Sequence, residues 1–298
     1  MTDRLSVCLL CWNHRDYLED CINALAAQSD QDFEIVMLDN RSTDGSVEFA
    51  RSLFTRADIK ATVFVNDSPQ STSANFNKLA KLANGTLLCF LSTDDFYESH
   101  YVAVMRAAVN AHHEAGWFSC GGWHLQQETG ERTQIDMDVF KSRCDIKSEL
   151  LAGREPFFFV GMCYRRSALA SVNGWDENIP IEDADLFFRL AGKFPHHAVP
   201  SPLVVYRKHG GGASSNPAFM IDALEKFYAK HRKEYGRRRL NRHRSEMLRT
   251  YAALYADRGE RAAAIRTALR SLTLRPLSFG NWQTFIYALR TTTAGGQR

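Results

Sequence analysis

The chain has 298 residues, 45% of them hydrophobic and 24% charged, with a formal net charge of +3, the composition of an ordinary soluble globular protein. No apolar run approaches the ~18 residues needed to cross a bilayer. The first strand-like run begins at Leu5, which leaves no room for a secretory signal, and seven scattered cysteines argue against a disulfide framework and for a reducing cytosol.

Ser6 to Trp12 predicts a buried strand. Cys8-x-x-Cys11 falls inside it with no second pair, so it reads as core packing rather than a redox or zinc site. Asp16 to Gln28 predicts a helix with Tyr17, Leu18, Cys21, Ile22 and Leu25 on one face. Phe33 to Leu38 is a second strand, ending in the polar turn Asp39 to Ser46 ahead of a helix at Val47 to Phe54. Ala61 to Val65 reads as a short strand and Ser73 to Leu82 as a helix. The apolar run Leu87 to Leu91 is the next strand, ending abruptly at Ser92-Thr93-Asp94-Asp95.

Strict alternation of strand and helix predicts an α/β fold with a mostly parallel sheet and right-handed crossovers. Trp12-Asn13, Asp39-Asn40 and Asp94-Asp95 would then share one rim, where open α/β sheets place their ligands. Two plainer readings compete: unrelated polar loops, and aspartates that cap a helix at Glu98 to Asn110. Further along, Trp117 to Leu125 and Phe157 to Tyr164 read as strands. Acids at Glu182, Asp183 and Asp185 followed by Leu186, Phe187 and Leu190 describe a helix start, for which dipole compensation suffices. Val204 to His209 closes this part, its histidine by itself an ordinary surface residue.

The charge is uneven. Residues 223–298 hold 17 Lys+Arg against 5 Asp+Glu, a net of +12, and residues 1–222 hold 20 against 29, a net of −9. After the loop Gly210 to Pro217, this divides a domain at 1–220 from a basic helical region at 221–298. In that region Met247, Leu248, Tyr251, Leu254 and Tyr255, then Ile265, Leu269 and Leu272, keep helical spacing on either side of a turn at Asp257 to Glu260. Pro276 and a segment from Trp282 to Leu289 follow. Lys230 to Arg244 is dense in Lys, Arg and His. It could rest on an anionic membrane surface, dock on the acidic part or form a solvated face; nucleic acid is not the expected partner.

Six motifs in order resemble the family 2 inverting glycosyltransferases of GT-A fold over roughly residues 5–210. They are Trp12-Asn13, Asp39 to Gly45, Asn77 with Ala83-Asn84-Gly85, Phe90 to Asp95, Asn173 to Arg189 and Tyr206 to His209. The resemblance implies a cytoplasmic enzyme of polysaccharide or glycoconjugate biosynthesis. It would move a sugar from a nucleotide-diphosphate donor to a hydroxyl of a saccharide, lipid-linked or protein acceptor, from the cytoplasmic face of a membrane if it is peripheral there. It implies a divalent cation, Mn or Mg, with Asp94 as ligand and His209 as a second contact. Asp183 would be the general base, kept ionised by its helix N-terminus. The donor-binding set would be Cys11, Trp12, Asn13, Asp39, Asn40, Asn77, Thr93 and Asp95. Within it Asp39 takes a pyrimidine imide N–H, which favours UDP or dTDP, and Trp12 stacks on the base or packs in the core. Asn77 touches the phosphates or fixes the loop, and Asp95 supports the turn or the acceptor side.

The chain departs from the pattern twice: Ser92 stands for the first Asp of Asp-x-Asp, and Asn40 for the second Asp of the turn. Two other readings remain, a sugar-binding relative without transferase activity and a sugar nucleotidyltransferase. The second would require a glycine-rich phosphate loop after the first strand, and Leu9 to Arg15 has no glycine.

Overall fold

The structure, a computed structural model, describes residues 4–135, 146–152, 158–209 and 216–291. Two compact units divide between His209 and Gly210.

In the first unit every residue of β1 (Leu5–Cys11) is buried, as an apolar strand covered on both faces requires. It pairs in parallel with β2 (Phe33–Asp39) on one side and β4 (Leu87–Ser92) on the other, and β3 (Ala61–Val65) extends the sheet beyond β2. The crossovers are α1 (Leu18–Ala26), α2 (Ser46–Arg56) and α3 (Thr72–Leu82). The face of α1 formed by Leu18, Cys21, Ile22 and Leu25 is fully buried, which is what spacing of three and four residues achieves. Gly85 closes the α3–β4 connection, where a Cβ would lie 2.3 Å from Ser6 Oγ and 2.6 Å from the Arg4 carbonyl, so only glycine fits.

Beyond β4 the sheet turns mixed. Its path is β3-β2-β1-β4-β8-β6-β9-β5, with β7 (Arg132–Gln134) off β6. Here β8 (Cys163–Arg165) is antiparallel to β4 and to β6 (Trp117–Gln126), and β9 (His196–Lys208) runs parallel to β6 and antiparallel to β5 (Phe96–Tyr97). The strand expected from Phe157 shrinks to β8, because Gly161 takes a φ of 74° that breaks the extended run; Phe157 itself lies outside the described residues. Asp94 and Asp95 cap no helix. β5 intervenes, and α4 (Tyr101–Ala111) begins without a side-chain cap. The short helices α5 (Ile146–Leu151) and α6 (Arg166–Ser171) precede α7 (Glu182–Ala191). The six cysteines of the described residues are free and buried, Cys8 and Cys11 among them.

The second unit is helical: α8 (Pro217–Lys230), α9 (Arg232–Asp257), α10 (Arg261–Leu274) and α11 (Phe279–Arg290). Asn216 caps α8 by accepting from Ala218 N and Phe219 N, and α9 is kinked at Gly236 (φ 66°). No helix among the described residues is long and apolar enough to cross a membrane.

Candidate active site

The parallel register sets Cys11 opposite Asp39 and Leu10 opposite Ser92, so the polar ends of β1, β2 and β4 lie side by side on one rim. Backbone bonds continue past the strands and fix it: Asn40 N to the Cys11 carbonyl (2.8 Å), Thr93 N to Leu10 (3.0 Å) and Asn66 N to Asp39 (2.9 Å).

After β1, Trp12 is 56% exposed, which removes core packing as its role. Asn13 adopts a left-handed φ of 56°, its N–H donating to Ser42 Oγ and its Oδ1 accepting from Thr43 N. Asp39 is fully buried, and both its oxygens accept from Ser42, from the amide at 2.8 Å and the hydroxyl at 2.5 Å. A carboxylate has about four lone-pair sites, so capacity for a further N–H remains.

Several residues of the expected donor set have partners inside the protein. The Asn40 side chain is tied to the backbone of Gln70 on both sides and to Asn66 Nδ2, part of a buried network with Asn75 and Lys78. Cys11 is fully buried, its thiol pushed up to about 11 by burial. Thr93 is buried with Oγ1 3.0 Å from His14 Nδ1. Asn77 brackets the backbone of Trp175, accepting from its N–H and donating to its carbonyl, both at 2.9 Å, and donates to Glu177. It therefore fixes the loop. Gly174, with a φ of 62°, is required there, because a Cβ would meet Asn77 Oδ1 at 2.4 Å.

Asp94 and Asp95 point to different tasks. Asp95 is buried and accepts from Arg207 N at 2.8 Å; burial and the charge of Asp94 push it well above the usual carboxylate range. It ties the turn to β9. Asp94 Oδ2 lies 3.1 Å from His209 Nε2, while its Oδ1 is buried with no hydrogen-bond partner, 3.7 Å from His14 Nδ1. Burial opposes the charge on Asp94, but His14, Ser92 and His209 outweigh it and hold its carboxyl below the usual range.

Among the described residues no cluster of three or more His, Cys, Asp or Glu forms a closed metal cage. Asp94 and His209 nevertheless fit a cation that shares its coordination with a diphosphate. Such ions take one or two protein groups and leave the rest to phosphate and water, and Asp94 Oδ1 is a buried acceptor lacking a partner.

Three groups at this corner were not singled out from the sequence. His14 meets Thr93 and Asp94, and Tyr17 lies with its ring 5.2 Å from that of His209. Arg207 is buried and donates to the Asp94 carbonyl (2.9 Å), Gln127 Oε1 (2.5 Å) and Asp20 Oδ2 (2.6 Å), with its guanidinium over Tyr17. Of these, Tyr17 was expected only on one face of its helix, and Arg207 fell inside Tyr206 to His209.

Asp183, in the first turn of α7, keeps partial solvent access. It stands near Trp175 and Tyr164, both of which pack on Phe90 of β4 (4.7 and 6.0 Å between rings). One strand thus carries Asp94 at its end and seats the surroundings of Asp183 along its length. Burial, then the charge of Glu182, pushes Asp183 well above the usual carboxylate range; the Trp175 indole N–H, which has no partner at hydrogen-bond geometry, opposes this. The helix N-terminus does not keep Asp183 at a low pKa, because desolvation and the like charge dominate. Behind it Asp185 is fully buried and paired with Arg189 at 2.7 Å, so its role is structural. A shallow cavity of about 390 Å³ lined by Glu98, His100, Trp123, Arg132 and Pro202 shares none of these residues.

Comparison with known proteins agrees with this arrangement. Glycosyltransferase alr2836 of Nostoc sp. is 32% identical over 175 residues, 57% of this chain and 53% of the relative. Putative glycosyltransferase EpsH of Bacillus subtilis is 25% identical over 222 residues, 70% of this chain and 62% of that protein. The chain thus spans between half and two thirds of the length of these curated relatives. Among solved structures, S. aureus TarS 1-349 in complex with UDP-GlcNAc superposes with a TM-score of 0.61 at 16% identity, covering 96% of this chain and 79% of that one. The mannosyltransferase PcManGT of Pyrobaculum calidifontis, in complex with GDP-Man and Mn2+, gives 0.62 at 17%, covering 97% and 86%. The fold is therefore GT-A: a mostly parallel curled sheet flanked by helices, with helices added at the C-terminus. The profile of the family described as "Glycosyl transferase family 2" matches residues 6–171, more than half of the chain, and the chain belongs to that family.

Proposed function

We propose that the protein is an inverting glycosyltransferase that moves a sugar from a nucleoside-diphosphate donor to an acceptor hydroxyl, with Asp183 as general base. The observation that carries this reading is the placement of two carboxylates around β4: Asp94 at its end, with Oδ2 3.1 Å from His209 Nε2 and Oδ1 buried without a hydrogen-bond partner, and Asp183 in the first turn of α7 near Trp175, whose ring packs on Phe90. A base works best with a pKa near the operating pH, and an acid that faces a cation works best fully ionised.

In the transfer, the acceptor oxygen attacks the anomeric carbon as Asp183 takes its proton. The bond from that carbon to the diphosphate oxygen breaks, and the nucleoside diphosphate leaves with the bonding pair. A divalent cation bound by Asp94 and His209 would supply positive charge for the leaving diphosphate. Trp12, exposed at the end of β1, offers a stacking face to the base, and Asp39 an acceptor for its N–H. That acceptor supports UDP or dTDP. The relatives of the same fold in complex with UDP-GlcNAc and GDP-Man make the base a matter for measurement. For the acceptor we favour a saccharide, lipid-linked or protein hydroxyl, reached at an anionic membrane surface through the basic second unit.

Thermal-shift measurements with UDP-, dTDP- and GDP-sugars, with and without Mn2+, test the reading. We expect one donor to stabilise the protein more strongly with the cation, and its nucleoside diphosphate to be released on addition of acceptor. Stabilisation by none of the donors overturns it.

A further inference from the structure

Helix α11 is built inside out. Its inward face carries Asn281, Thr284 and Ala288, all buried, with Asn281 Nδ2 bonded to Ser245 Oγ (2.8 Å) and to the carbonyls of Ser271 and Arg275 (both 3.1 Å). Its outward face carries Phe279 (76% exposed), Trp282 (47%), Ile286 (44%), Tyr287 and Leu289, and Leu277 just before it is 97% exposed. At 100° per residue, Phe279, Trp282 and Ile286 fall within one narrow stripe. A surface helix normally puts such side chains inward, so a contiguous outward patch marks something that covers it.

Charge says what covers it. Residues 261–291 contain five arginines and no Asp or Glu. Arg270 and Arg275 are paired with Glu225 and Glu246, while Arg261, Arg266 and Arg290 have no ion pair among the described residues. The nearby acid Asp257 accepts from the Tyr287 hydroxyl at 2.6 Å. A second copy meeting this face would set arginine against arginine, and a nucleic acid would leave the aromatic and aliphatic stripe without purpose. A lipid surface with anionic headgroups suits both features, since Trp, Tyr and Phe favour the headgroup boundary and arginine meets phosphate.

We propose that the outward face of α11 seats the second unit in the headgroup region of an anionic bilayer, with Phe279, Trp282 and Ile286 entering it and Arg290, in the same stripe at 100° per residue, beside them. This deepens the membrane part of the reading above and moves the contact from the expected Lys230 to Arg244 segment, at the end of α8 and in α9, to α11. The face is exposed and carries none of the residues proposed for donor binding, so its substitution should leave the fold intact.

The test is co-sedimentation of the full chain with vesicles of phosphatidylcholine alone or mixed with phosphatidylglycerol, at low and high salt. We expect binding to the mixed vesicles that weakens with salt, and a drop of at least about tenfold for the triple variant Phe279→Ser, Trp282→Ser, Ile286→Ser. Arg290→Gln should lower binding to the mixed vesicles and flatten its salt dependence. The proposal fails if the triple variant binds as the parent does, or if both lipid compositions bind the parent equally. It fails too if ultracentrifugation without lipid shows a dimer that the triple variant dissolves. Donor-induced thermal shifts of the same variants separate the two ideas: their persistence alongside lost vesicle binding supports the proposal, and absent shifts in the parent refute the donor reading alone.

Discussion

Replacing Asp183 by asparagine removes the proposed base while keeping its size. General-base catalysis contributes about 10²–10⁴-fold, equivalent to roughly 3–5 kcal/mol of barrier, so sugar transfer should fall by that factor while donor binding persists. The same substitution should stabilise the fold near neutral pH. A carboxyl whose pKa is raised by folding contributes stability below its unfolded value and loses that contribution as pH rises through the folded value. The ionised form of Asp183, partly desolvated and beside Glu182, is therefore destabilising, and the neutral amide relieves it. Differential scanning fluorimetry across pH should show the variant melting above the parent at pH 7 and the difference closing toward pH 4. In the parent, kcat/KM should fall with decreasing pH at a midpoint above the ordinary carboxylate range, and Glu182→Gln should move that midpoint down. Undiminished turnover by Asp183→Asn, or an acid limb at the ordinary carboxylate value that Glu182→Gln does not move, would refute the assignment.

Asp94→Ala and His209→Ala should each weaken the apparent affinity for Mn2+ by at least about tenfold, read from cation titrations of donor-induced thermal shift and of turnover, and chelator should abolish the parent's activity. Asn77→Ala removes both bonds to the backbone of Trp175 and should cost about 1–3 kcal/mol in denaturant unfolding, lowering kcat more than it raises the donor KM, since the loop supports Asp183; an unchanged kcat would dissociate the loop from the base. Gly85→Ala drives a methyl to 2.3 Å from Ser6 Oγ and should destabilise by about 1–3 kcal/mol without altering cation dependence. The vesicle experiment on α11 adds a prediction that is independent of turnover.

The sequence by itself determined the first half of the fold. The buried runs Leu5–Cys11, Phe33–Asp39 and Leu87–Ser92 are strands because only a doubly covered sheet accepts such runs, and the amphipathic segments between them can only be crossovers. It also determined the family, since the ordered motifs carry that information without coordinates. What it could not determine was the division of labour at the rim. Asp94 and Asp95 are adjacent in the chain, yet one faces His209 and the other is buried under Arg207, because the turn sends successive side chains in opposite directions. Asn40 and Asn77 stand in the motifs of the expected donor set, and only the tertiary structure shows their side chains tied to backbone at Gln70 and Trp175.

His14 was silent in the sequence because its meeting with Thr93 and Asp94 spans some eighty residues of chain, and such a contact exists only once β1 and β4 are neighbours. The raised pKa of Asp183 is likewise a tertiary property: local sequence suggested a helix dipole, and burial beside Glu182 overrode it. The outward stripe of α11 follows the same rule. Helical spacing located the segment, but only packing decided that Asn281, Thr284 and Ala288 face in, where a buried amide finds three oxygens, and left Phe279, Trp282 and Ile286 facing out.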